Sequence, residues 1–227
     1  MPKFFASPTV NSWDENVFQL TTTGIITVIV LMVLLILTAI LLRQKKAHSA
    51  KVATKQLVFS GVAMALAIVT SEIKFARLPM GGSITLFSML FIVLIGYWYG
   101  AKAGLLTGFA YGLLQFVLDP VFYSPIQLLV DYPLAFGALG LSGFFSGKKH
   151  GLLLGYIAGV IGRYFFAVLS GVVFFAHYAP DGTPAMIYSL TYNATYIVPE
   201  AVVTLVLLAI PAVAKAMQRV KVMATEA

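Results

Sequence analysis

Seven stretches of this chain are so long and so continuously apolar that only a lipid bilayer suits them. They cover roughly residues 19–42, 56–73, 86–100, 103–118, 126–145, 151–176 and 189–214. A helix needs about 20 apolar residues to cross hydrocarbon, and it satisfies every backbone polar group within the segment. Barrel strands alternate in polarity over about 10 residues, so these runs are too long and too uniform for them. The expected fold class is therefore an all-α integral membrane protein. Composition agrees: 60% of the 227 residues are hydrophobic and 10% charged, where a soluble domain carries about 25% charged residues. The third and fourth spans are short and meet around Gly96 to Gly100, where a tight turn is expected.

Charge sets the expected orientation. If the side bearing Arg43, Lys45 and Lys46 is inside, eleven of the fifteen basic residues fall there, including Lys102, Lys148, Lys149, Lys215, Arg219 and Lys221. Asp14, Glu15, Glu72, Asp119 and Asp181 fall at the opposite ends. Basic residues concentrate in cytoplasmic loops, so the expectation is N-terminus out and C-terminus in. The net charge of +7 then reflects membrane topology, and no nucleic-acid partner is expected. Residues 1–18 lack the basic start and small-residue cleavage site of a secretory signal. They read as an extracytoplasmic segment, followed by a retained helix at 19–42, a basic linker at 43–55, a body at 56–215 and a tail at 216–227.

Several chemistries find no residues to carry them. There is no Gly-x-x-x-x-Gly-Lys-Ser/Thr loop, no His-Glu-x-x-His and no Gly-x-Ser-x-Gly. The three histidines are scattered and there is no cysteine, so no metal or cofactor is expected. Any ATP hydrolysis has to come from another subunit.

Two apolar stretches nonetheless hold polar groups. Asp131 lies about five residues inside the fifth span, beside Tyr132 and two positions before Pro133. A carboxylate in hydrocarbon costs about 2.5–3.5 kcal/mol on insertion scales. Proline removes a backbone donor and kinks the helix, so a carboxylate, a phenol and an exposed carbonyl are expected near one mouth. Such a cluster suits a cationic or amine-bearing ligand. The alternative is a structural role, with Asp131 bonded to Arg163 or to nearby hydroxyls. In the last span Tyr188, Tyr192 and Thr195 share one helical face, and Asn193, Tyr196 and Glu200 another. Each tyrosine alone also fits an interfacial anchor. Asn193 does not, and its amide suits the edge of a heterocycle. Arg163 and Glu200 fall near mid-membrane on adjacent spans, and a structural ion pair is the simplest expectation. The loops 77–85 and 174–188 are both candidate lids, the second carrying Phe175. Ala63 and Ala67 form a small-x-x-x-small face that lets another helix approach closely.

A set of motifs resembles one family. It comprises Gly81-Gly82-Ser83, Pro125-Ile-Gln127-Leu-Leu-Val-Asp131-Tyr132, Gly162-Arg163-Tyr164, Ser170-Gly171-Val-Val-Phe174-Phe175, Tyr178-Ala-Pro180-Asp-Gly182-Thr-Pro184 and Tyr188-Ser-Leu-Thr-Tyr192-Asn193-Ala-Thr-Tyr196. Over residues 55–215 these are similar to the thiamine-specific S-component of energy-coupling factor (ECF) transporters, the ThiT or YuaJ family. The resemblance implies a six-helix vitamin-binding subunit, here with one extra N-terminal helix, in a Gram-positive-type cell membrane. Its site would lie near the outer face under the loop between its first two helices. It implies thiamine as transported ligand, with Asp131 in place of a family glutamate, Tyr132, Tyr188 and Asn193 at binding positions, and Phe175 at a ring-stacking position that can be Trp. Ala167 stands where the family often has His, which admits a thiamine precursor or analogue. Ala63 and Ala67 match the motif by which S-components dock on a transmembrane coupling subunit, which works with two ATPases. Two other roles are compatible with the residues: a stand-alone ion-coupled carrier relaying through Arg163, Glu200 and Asp131, and an intramembrane enzyme using Asp131 or Glu200 as acid or base.

Overall fold

A computed structural model describes residues 6–10, 16–27, 29–30, 50–78 and 81–226. Its body is a bundle of helices: α1 (Ala50–Ser71), α2 (Ser88–Tyr99), α3 (Ala101–Leu118), α4 (Pro125–Phe145), α5 (Gly151–Phe174) and α6 (Ala185–Ala209). Among the described residues five helices are long and apolar enough to cross a membrane, and α2 is a shorter apolar helix beside them. Leucine, isoleucine and valine side chains on the outer surfaces are exposed, as on α5 at Leu154, Ile157 and Ile161. In hydrocarbon such exposure carries no penalty, because lipid tails are as apolar as the side chains.

The expected turn between the third and fourth spans is a single residue. Gly100 adopts φ +90°, a left-handed conformation open to glycine at little cost. It joins α2 to α3 without a loop.

Small residues bring the helices together. Gly104, Gly108 and Gly112 repeat every four positions along one face of α3. A Cβ on Gly108 would collide with the Phe136 carbonyl, and one on Gly112 with the Tyr132 carbonyl. Backbone thus packs on backbone between α3 and α4. Ala63 and Ala67 do the same for α1: they are 6% and 0% exposed, with Ala63 against Ile95 and Ala103. Ala67 joins the central cluster, which includes Met89, Ile92, Tyr111, Leu139 and Ile197. The expectation that Ala63 and Ala67 present a face to a partner is therefore corrected. Their small size lets α1 seat on its own neighbours, and the exposed small pair on α1 is Gly61 and Ala65.

Helix α4 is not uniform. It begins as α-helix at Pro125–Leu129, widens to a π-helical turn at Val130–Leu134, resumes over Ala135–Gly137 and tightens to 3₁₀ geometry over Ala138–Phe145. Pro133 lies inside the wide turn. The missing N–H is thus accommodated by a change of helical register, a common origin of π-bulges.

Other boundaries move from their expected places. Helix α6 starts at Ala185 and ends at Ala209. Ile210 is extended (φ −68°, ψ 120°) and Pro211 starts a separate helix, α7 (Pro211–Thr225). The stretch expected to be a tail therefore belongs, through Thr225, to a helix folded back under the bundle. Tyr99 Oη donates to the Ala224 carbonyl and Lys55 Nζ to the Glu226 carbonyl.

All-α is also not the whole description. Strands β1 (Ala6–Val10) and β2 (Asn16–Leu20) pair antiparallel with Ser7 opposite Gln19. A second, smaller hairpin, β3 (Ala76–Arg77) with β4 (Ser83–Ile84), lies in the α1–α2 loop. Of the expected helix at 19–42, residues 22–27 and 29–30 are helical, and 31–42 lie outside the described residues. Within them, Ile25 packs against the Phe116–Phe122 cluster. Residues 43–49 of the expected linker also lie outside the described residues, and α1 already begins at Ala50.

Candidate functional site

A cavity of about 160 Å³ opens at the end of the bundle where α1 finishes and α6 starts. Asp131, Tyr132, Phe175, Tyr188 and Asn193 all line it. They come from three elements: the π turn of α4, the C-terminal end of α5 and the first half of α6.

Asp131 is held by its own helix. Gln127, one turn earlier and fully buried, donates from Nε2 to Asp131 Oδ2 at 2.6 Å, while its Oε1 accepts from the Tyr123 N–H. The buried Ser170 hydroxyl lies beside the same carboxylate, although its geometry falls short of a hydrogen bond. No cation lies within ion-pairing distance of Asp131 among the described residues, where the ion pairs are those of Lys74 with Asp119 and Glu72.

Tyr132 takes another role from the one expected of its phenol. Its hydroxyl donates to the Asp119 carbonyl (2.9 Å) and accepts from the Val121 N–H (2.8 Å). It therefore fixes the α3–α4 loop and gives the cavity a ring face. Asn193 is likewise engaged. Its Nδ2 donates to the Ser189 and Ala167 carbonyls, and its Oδ1 accepts from Tyr196 Oη at 2.6 Å.

The walls are aromatic. Tyr188 stacks on Tyr192 (centroids 5.9 Å, planes 29° apart), and Tyr192 meets Tyr196 edge-on. Across the cavity Phe175 packs edge-on against Tyr123 at 4.9 Å and lies along Tyr178, whose hydroxyl bonds that of Tyr123. The expected division of α6 into two polar faces is corrected here. Tyr188, Tyr192, Asn193 and Tyr196 turn to the cavity together, whereas Thr195 is exposed.

The expected Arg163–Glu200 ion pair is absent. Glu200 is 4% exposed and accepts three hydrogen bonds, from Thr85 Oγ1 (2.6 Å), Ser88 Oγ (3.1 Å) and the Met89 N–H (3.0 Å). It caps the N-terminus of α2 from a different helix, where a carboxylate complements the unsatisfied N–H groups and the helix dipole. Arg163 turns to the cavity instead, with its guanidinium 4.3 Å from the Phe136 ring centroid. Sequence separation matched the depth of the two residues in the membrane, but not their rotation about the helix axes.

The α1–α2 loop closes one side. The Gly82 N–H donates to Tyr192 Oη (3.2 Å). A Cβ on Gly82 would lie 2.8 Å from Tyr196 Cδ1, so only glycine lets the loop come this close. Lys74, at the base of the loop, pairs with Asp119 at 2.8 Å. Residues 79–80 of the candidate lid lie outside the described residues. Tyr111, Gln115 and Ala167 also line the cavity. Tyr111 and Gln115 escaped the sequence reading, although Gln115 one turn after Tyr111 in an apolar span was a usable signal. No cluster of metal-ligating side chains occurs among the described residues.

The family model described as "Thiamine transporter protein (Thia_YuaJ)" matches residues 57–220. The chain belongs to this family. It is 43% identical over 148 residues to the thiamine transporter ThiT of Bacillus subtilis (strain 168), a match covering 59% of this chain and 77% of the relative. A second relative, the thiamine transporter ThiT of Lacticaseibacillus paracasei, is 31% identical over 121 residues, 46% of this chain and 60% of its own length. A solved structure of ThiT from Listeria monocytogenes superposes with TM-score 0.54 at 24% identity, covering 71% of this chain and 96% of that one. That likeness establishes the helical fold. The family members compared are transporters, and this member is a multi-pass membrane protein. The matched region runs from within α1 through α6 and reaches into α7. It leaves the N-terminal hairpin and helix outside.

Proposed function

We propose that this chain is the substrate-binding subunit of an ECF-type, ATP-driven importer and binds thiamine in the cavity between α4, α5 and α6. The observation that carries the reading is the convergence of Asp131, a carboxylate with no cation partner among the described residues, with aromatic faces from Phe175, Tyr188 and Tyr192 in one cavity. A flat organic cation gains charge pairing with the first and cation–π and stacking contact with the others. Its aminopyrimidine edge matches the donors and acceptors of Asn193 and Tyr196 once their mutual bond opens. The family assignment supports thiamine, because its named members are thiamine transporters.

In this reading the cavity end faces outside and the end carrying Lys148, Lys149, Lys215 and Lys221 faces the cytoplasm, in keeping with the bias of basic residues. The N-terminus is then outside and the C-terminus inside. The α1–α2 loop is the lid, anchored by Gly82 on Tyr192 and by Thr85 on Glu200. Transport uses a separate membrane coupling subunit and two ATPases, and the exposed Gly61–Ala65 face of α1 is the surface offered to that subunit.

Ala167 favours a second ligand class. It puts a methyl group on the cavity wall where the family often has an imidazole, which suits a thiamine precursor or analogue. Mass spectrometry of ligand released from protein purified out of thiamine-fed cells tests both. Recovery of unchanged thiamine is expected. Recovery of one thiamine half alone moves the assignment to a precursor, and a chemically altered product contradicts a binding role. Uptake by the chain alone, in energised vesicles without ATP, contradicts the coupled mechanism.

A further inference from the structure

The opposite end of the bundle holds a second cavity, of about 400 Å³. It lies between the α4–α5 turn, the start of α5, the end of α6 and the fold-back helix α7. Along α5, Leu153 in this cavity and Arg163 in the ligand cavity are ten residues apart, about 15 Å at 1.5 Å per residue. Lys148, His150, Gln218 and Lys221 line it. Lys221 Nζ donates to the Ser146 carbonyl at 3.0 Å and sits 4.1 Å from the Tyr97 ring centroid. Lys148 Nζ lies 4.9 Å from the Phe145 ring centroid. No carboxylate pairs with either lysine among the described residues. Helix α5 also begins here without a side-chain cap; the Gly151 N–H bonds the Lys148 carbonyl, and the remaining N–H groups of the first turn add partial positive charge to that of the lysines.

We propose that this cavity holds the phosphate head group of an anionic phospholipid. The charge selects a phosphate, and the apolar half of the lining selects a lipid over a free anion. Leu152, Leu153, Leu208 and Met217 share the walls with the cations. Leu154, next in sequence to Leu153, begins with Ile157 and Ile161 an exposed apolar stripe on α5, a surface suited to acyl chains. Basic pockets between helices on one side of a membrane are a recurrent form of lipid head-group site. Helix α7 supplies one wall, so an occupied site clamps α7 to the bundle. The proposal is independent of which ligand occupies the first cavity.

The test is native mass spectrometry of the full-length protein equilibrated with equal amounts of phosphatidylglycerol and phosphatidylcholine, with Lys148→Gln/His150→Gln alongside. Wild type is expected to retain phosphatidylglycerol selectively. The double variant is expected to lower that retention roughly five- to tenfold, with its thermal unfolding transition intact. Lys221→Gln is the second variant, should the first unfold, and a loss of selectivity is expected there too. Equal retention of the two lipids overturns the proposal, as does selectivity unchanged in folded variants. Saturable binding of inorganic phosphate in lipid-free detergent, without lipid selectivity, assigns the cavity to a soluble anion and also overturns it.

Discussion

Asp131 shows how a costly residue is kept in an apolar helix. Gln127 satisfies one carboxylate oxygen, and no cation among the described residues pairs with the group. In the proposed role, the ligand brings the positive charge that Asp131 lacks. Hydrogen bonds to charged groups contribute about 1.5–3 kcal/mol, so Asp131→Asn is expected to weaken thiamine binding by roughly ten- to a hundredfold, read by titration. Tyr132→Phe tests a different role. Its hydroxyl bonds the α3–α4 loop twice, so its loss is expected to destabilise the protein by about 1–3 kcal/mol, read as a lower Tm. Glu200→Gln removes the charge that caps α2, and Tm is expected to fall by an amount corresponding to about 1–3 kcal/mol. The five residues expected to bind ligand line one cavity, and each stood out in the sequence as a polar or aromatic group inside or at the end of an apolar run. What the sequence did not show was orientation. Tyr132 and Asn193 reach the cavity but spend their polar atoms on neighbours, and Arg163 and Glu200 face different partners.

At the scale of elements, close packing and register position the site. The π turn of α4 aims Asp131 and Tyr132, and Gly112 of α3 lies directly against the Tyr132 carbonyl. Gly112→Ala forces that contact apart. A cost of about 3 kcal/mol is expected, the upper part of the usual range for overpacking, with ligand affinity falling alongside Tm. Gly82→Ala is expected to separate the two effects. Its methyl would push the lid from Tyr196, weakening ligand binding while leaving the unfolding transition of the helices in place. The Gly104, Gly108 and Gly112 repeat was as visible in the sequence as Ala63 and Ala67, and it marks the same kind of helix contact. Proline at 133 signalled a kink, and in the structure it lies in a wider, π-helical turn. The fold-back at Ile210–Pro211 was hidden because the apolar run continues to residue 214, and only the proline marks the corner.

Across the whole molecule, polarity is divided between two ends joined by apolar helices. One end collects the cavity around Asp131, the α1–α2 loop and the Lys74–Asp119 pair, and the other collects most of the lysines and α7. Of the seven spans expected, five long apolar helices and the shorter α2 occur among the described residues. The helical membrane class and the family were legible from hydropathy and motif. The short hairpins were not, because five-residue and two-residue strands leave little pattern. If α1 docks on a coupling subunit through its exposed small face, Gly61→Leu is expected to abolish vitamin uptake in cells carrying the full transporter, with ligand binding by the purified chain unchanged. The account rests on one claim, that the cavity around Asp131 binds a thiamine-like cation. Calorimetric titration of the detergent-purified protein with thiamine, beside Asp131→Asn, tests it most directly. Saturable binding that weakens at least about tenfold in the variant is the predicted result. Absence of binding to thiamine and to either of its halves, or binding indifferent to Asp131→Asn, would contradict it.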